Sequence, residues 1–151
     1  MKVTASQRSA VAVRIEFARG ELADLAEYSA LDWMTYQQDR KARRNVERMA
    51  ENIANAPVDV GKTLLSASGS DVPATYREVI GALGGAGLAG QGTTEEFIRL
   101  AQLRNTLSHR YLDYKWESVK WFLRTGSARV AEWLEQCEAI VTPTDEEEAG
   151  S

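Results

Sequence analysis

The chain has 151 residues, 44% hydrophobic and 26% charged, with a formal net charge of -4 at neutral pH. That length fits one domain with a real hydrophobic core, and the acidic balance excludes a general nucleic-acid coating protein while leaving room for a small basic cleft. No apolar run reaches the roughly eighteen residues of a membrane span, Met1 to Ser9 lack a signal-peptide layout, and the single Cys137 has no internal disulfide partner, so a cytoplasmic, reducing setting is expected.

Only three prolines occur, and apolar residues recur at three- and four-residue spacing. This predicts an all-α fold, an up-and-down bundle of four to five helices over residues 1–141. The first helix is expected from Ser6 to Ser29, with Val11, Ile15, Ala18, Leu22 and Leu25 on its apolar stripe. Leu31 to Gln37 reads as a connector in which Asp32 or Thr35 can cap a helix. The second helix starts near Asp39 and buries Val46, Met49, Ile53, Val60 and Leu64. Pro57 lies inside it and predicts a kink, or a break with restart.

Ser66 to Asp71 reads as a loop. A short third helix follows, with Pro73 in its first turn, Tyr76, Val79, Ile80 and Leu83 on its apolar side, and Gly84 and Gly85 ending it. Gly85-Ala86-Gly87-Leu88-Ala89-Gly90 matches the G-x-G-x-x-G letters of dinucleotide sites. A helix precedes it where a strand is needed, so it is read as a loop. In the fourth helix Thr93 and Glu96 have capping-box spacing, and Phe97, Leu100, Leu103 and Leu107 form the stripe. Arg104 falls on that same stripe, which is costly for a cation unless it is paired, liganded or at an interface.

The fifth helix is expected from about Tyr114 to Val141, with a seam of Trp116, Val119, Leu123, Gly126, Val130, Trp133, Cys137 and Ile140. Residues 142–151, with Asp145 to Glu148, read as a disordered acidic tail.

The stretch Arg104 to Tyr111 carries the only histidine, His109. Arg99, Arg104, Arg110, Lys115, Lys120 and Arg124 make a local positive zone around it, against Asp113 and Glu117. On a continuous helix, at about 100° per residue, Arg104 and His109 stand about 140° apart. Either the helix ends near Ser108 and the imidazole swings free, or a second copy of the chain completes the site. A two-fold homodimer also accounts for an arginine on an apolar stripe.

The fitting chemistry is metal-independent RNA cleavage. His109 would take the 2′-hydroxyl proton or protonate the leaving oxygen, and an imidazole of ordinary pKa near 6.5 suits either role. Arg104 would hold the phosphate and its growing charge. Asn105 would orient the phosphate or cap its helix, and Arg99, Arg110 and Lys115 would contact RNA. One histidine and one cysteine twenty-eight positions apart show no metal-ligand spacing, and no cofactor is called for.

Arg104-Asn105-x-Leu107-x-His109-x-Tyr111 resembles the R-x4-H-x-Y motif of HEPN-domain toxins of the HepT family. Val46-Glu47-Arg48, Pro73-x-x-Tyr76-Arg77-Glu78 and Phe97 to Leu103 add to the likeness, which covers about residues 8–141. The resemblance implies a dimeric all-α ribonuclease toxin with Arg104 and His109 catalytic. It also implies a partner, a minimal nucleotidyltransferase antitoxin of the MntA type that places AMP on Tyr111. Such a group would add charge and bulk beside the cleft. The alternative is a non-catalytic dimer of this kind that binds RNA or a nucleotide, or scaffolds a nucleotidyltransferase.

Overall fold

The structure, a computed structural model, describes residues 1–143 and residue 150. Among them it is helical throughout, without strands: α1 (Ala5–Ala26), α2 (Trp33–Gln38), α3 (Arg40–Ala67), α4 (Tyr76–Gly85), α5 (Gln91–Leu107), α6 (Leu112–Trp121), a π turn (Phe122–Gly126) and α7 (Ser127–Val141). No helix of the described residues is long and apolar enough to cross a membrane. The expected acidic stretch Asp145 to Glu148 lies outside the described residues.

Helix α3 is the axis of the bundle. It packs on α1 along most of its length and also touches α2, α4, α5 and α7. Val46, Ile53, Val60 and Leu64 are fully buried in it, as are Val11 and Ala18 of α1. Pro57 produces no break. The helix runs through it, and Pro57 is buried among the α3 residues facing the core, where packing offsets the one backbone hydrogen bond that proline cannot donate.

Several helix ends differ from expectation. Thr4 and Gln7 form a capping box that starts α1. The connector after α1 contains a short helix, α2, opened by Asp32, whose carboxylate accepts from the Thr35 amide at 2.8 Å. Pro73 lies outside α4, which Thr75 caps. Gly84 and Gly85 are still helical. The chain turns at Gly87, whose φ of 72° is left-handed, and the Leu88 amide reaches back to the Leu83 carbonyl at 2.9 Å in the closure typical of such ends. The glycine-rich letters are thus a helix end and a loop. The Thr93–Glu96 capping box does not form, because α5 starts three residues earlier, behind Gly90.

The long last helix begins at Leu112 and is interrupted by the π turn. A Cβ on Gly126 would come within 2.9 Å of the Trp121 ring and 3.0 Å of Phe122, so only glycine fits there without displacement. The turn shifts the apolar seam. Phe122, Leu134 and Val141 join Trp116, Val119, Val130, Trp133 and Cys137 in the core, while Ile140 is exposed.

Candidate active site

Helix α5 ends two residues before the histidine. Ser108 is its C-cap, and the Ser108 hydroxyl donates to the Asn105 carbonyl at 2.6 Å. The His109 amide still bonds back to the Thr106 carbonyl at 3.0 Å. His109 is therefore tethered to the end of α5 with its side chain outside the helix. Of the two arrangements open from spacing, the early helix end is present.

His109 faces an open cleft of about 750 Å³ between the last turns of α5 and the first turns of α6. Gln102, Asn105 and Thr106 form one wall, and Asp113, Tyr114 and Glu117 the other. The imidazole is exposed and stands edge-on to the Tyr114 ring, with centroids 5.0 Å apart. Tyr114 thus orients the imidazole, a role the sequence spacing did not suggest, because the intervening turn was unknown. Thr106, the buried polar residue of this wall, turns its hydroxyl to the Gln102 carbonyl.

Arg104 is not buried on the apolar stripe. In the last turn of α5 the inward side is Leu103 and Thr106, and Arg104 is exposed. Its guanidinium sits over the Tyr76 ring at 5.0 Å. The Tyr76 hydroxyl donates to the Ala54 carbonyl at 2.7 Å. Burial raises the Tyr76 pKa above the usual tyrosine range, with Arg104 opposing and Asp59 adding to the rise. Arg104 does not line the His109 cleft. Within one chain, then, arginine and histidine are presented on different sides of the α5 end.

Asn105 lines the cleft beside His109, and Arg110 is exposed in the turn that follows. Tyr111 occupies the N-cap position of α6 with no side-chain capping bond. It is 74% exposed, more than any other large hydrophobic side chain among the described residues. Arg99 is exposed over Trp121, 4.2 Å from the ring centroid.

Lys115 is engaged in an ion pair. Its ammonium meets the Glu47 carboxylate of α3 at 2.7 Å, and the two side chains are only 12% and 17% exposed. The pair ties α6 to α3 and leaves the ammonium little exposed. Beside it, the tilted rings of Tyr36, Trp33 and Trp116 pack against one another. The buried Tyr36 hydroxyl has no hydrogen-bond partner of good geometry, and burial, then the Glu47 carboxylate, raises its pKa above the usual range. This cluster fixes the start of α6, and with it the outer wall of the cleft. Among the described residues no three His, Cys, Asp or Glu side chains converge as a metal-binding group.

Two solved structures share the fold. One is a chain of a crystal structure described as the toxin–antitoxin MntA-HpeT in mutant form, with a TM-score of 0.77 at 14% identity over 87% of this chain and 98% of that one. The other is a chain of a toxin–antitoxin crystallised with AMP-PNP, with a TM-score of 0.71 at 14% identity over 89% and 98%. No curated protein sequence matches significantly. The family described as ribonuclease HepT-like matches residues 18–137, which include α3, α4, α5 and the whole motif from Arg104 to Tyr111. With that match over most of its length, the chain belongs to the HepT-like ribonuclease family.

Proposed function

We propose that the protein is the ribonuclease toxin of a toxin–antitoxin pair, cutting RNA without a metal ion at a cleft shared by two copies of the chain. The observation that carries this reading is the placement of the motif at the α5 end. His109 and Asn105 face an open cleft, while Arg104 is held on another side by Tyr76. A two-fold axis near this end would bring the Arg104 of one copy to the His109 cleft of the other.

One imidazole takes the proton of a ribose 2′-hydroxyl, and the 2′-oxygen attacks the adjacent phosphorus. The bond to the 5′-oxygen breaks, and that oxygen receives its proton from the imidazolium of the second copy. The products are a 2′,3′-cyclic phosphate and a 5′-hydroxyl. Arg104 meets the negative charge that grows on the phosphoryl oxygens. Asn105 orients the phosphate, and the exposed Arg99 and Arg110 contact the RNA.

The family match supports the nuclease reading, and the toxin–antitoxin chains of like fold support a protein partner. That partner would be a minimal nucleotidyltransferase acting on Tyr111, by attack of the phenol oxygen on the α-phosphorus of ATP with pyrophosphate leaving. AMP there would place negative charge two residues from His109, repelling RNA. The test is cleavage of RNA in excess EDTA by the parent and by His109→Ala. Parent-only cleavage leaving cyclic phosphate ends is expected. Equal cleavage by both would remove His109 from the chemistry. Cleavage by neither, with Tyr111 shown by mass spectrometry to be unmodified, would favour a binding or scaffolding dimer.

A further inference from the structure

The groove between α5 and α6 does not stop at His109. Glu117 and Ser118 border the His109 cleft and also a second depression of about 300 Å³, whose other walls include Arg99, Lys120, Trp121 and Arg124. Three cations meet there in a chain of negative net charge. Arg99 and Arg124 are exposed and form no ion pair among the described residues. Among the described residues Lys120 pairs only with Glu117, at 3.2 Å, with the lysine side chain 32% and the glutamate 73% exposed, an arrangement that contributes little and that a phosphate can displace.

The depression is also built. Trp121 lies between the Arg99 guanidinium, 4.2 Å from its centroid, and Gly126, which leaves just enough room for the ring. The ring restrains Arg99 and so lowers the entropy lost when a ligand binds it. Arg124 projects from the π turn, an irregularity that occurs often at functional sites.

We propose that this depression is a second RNA subsite, which takes the phosphates of nucleotides flanking the one that reacts at His109. The proposal rests on the ribonuclease reading of the His109 cleft and gives it a direction, with the strand leaving the cleft along α6 toward the π turn. Lys120 and Arg124 hold backbone phosphates without reading sequence. Arg99, braced by Trp121, offers its guanidinium plane to a base or a phosphate.

The test uses the full chain and a fluorescent single-stranded RNA of about twelve nucleotides, a length within the usual range of single-strand sites. Binding is measured in a His109→Ala background, so that the RNA stays intact. Adding Lys120→Ala with Arg124→Ala should weaken binding about tenfold at low salt. It should also flatten the dependence of log Kd on log salt by about 1.4, at roughly 0.7 per lost single-strand phosphate contact. With His109 present, the kcat/KM ratio of the twelve-mer over a dinucleotide should fall about tenfold.

Unchanged affinity and salt slope in a variant that melts like its parent would overturn the subsite. So would weaker binding of the protein partner with RNA binding intact, since the depression would then be a protein interface. Because binding is read without cleavage, an inactive parent would count against the ribonuclease reading and leave the subsite measurable. Arg99→Ala repeats the test from the opposite wall.

Discussion

The guanidinium of Arg104 lies 5.0 Å from the centre of the Tyr76 ring, and the Tyr76 hydroxyl is fastened to the Ala54 carbonyl of α3. The arginine proposed to meet the phosphate is therefore braced by the central helix through one aromatic ring. Tyr76→Phe keeps the ring and loses the hydrogen bond. It should cost about 1 kcal/mol of stability and leave cleavage near the parent value. Tyr76→Leu removes the ring face and should lower kcat about tenfold, with a smaller change in KM. Equal rates for the two variants would show that the brace is irrelevant to cleavage.

The Lys115–Glu47 pair is expected to act on stability rather than on RNA. Lys115→Ala leaves a largely buried carboxylate without its partner and should cost about 2 kcal/mol, as for other hydrogen bonds to charged groups. A urea titration reads this directly. A Lys115→Ala variant as stable as the parent but weaker in RNA binding would return Lys115 to the nucleic-acid surface.

Tyr111 combines high exposure with a capping position in which its side chain makes no bond. Tyr111→Phe should retain the parent melting temperature and cleavage rate. It should also escape AMP addition when mixed with ATP and the partner nucleotidyltransferase, as read by intact mass. An AMP adduct on the Phe variant would place the modification elsewhere.

Burial pushes the Cys137 thiol up to about 12 from an ordinary value of 9.0. A thiol raised on folding contributes stability that is fully present below the unfolded pKa. That stability is lost as pH rises through the folded value, so the protein should weaken between about pH 9 and 12, and Cys137→Ala should flatten part of that decline. At neutral pH the folded thiol should resist disulfide reagents, and its labelling in urea should track unfolding. Rapid labelling of the native protein would contradict the burial.

Much of this was legible because it depends on periodicity. The stripes of α1 and α3 are read from spacing alone, and Val11, Ile15, Val46, Ile53 and Leu64 are buried as expected. The break offered as one outcome at Pro57 does not occur, because the local breaking rule gives way to packing on both sides of α3. Arg104 is three or four residues from Leu100 and Leu107, but the inward positions of that turn are Leu103 and Thr106, and the arginine lies exposed over Tyr76. The π turn has no periodic signature. Its sign in the sequence is Gly126, which sits on the apolar seam and leaves space for Trp121. The motif itself was readable, whereas its partners Tyr76 and Tyr114 come from other helices and needed the fold.

The most direct measurement of the two-histidine site is RNA cleavage by co-refolded mixtures of parent and His109→Ala chains at constant total concentration. If each site needs the imidazoles of two copies, activity should fall as the square of the parent fraction. A linear fall would show that one imidazole suffices for each site and would contradict the proton relay through the histidines of two copies.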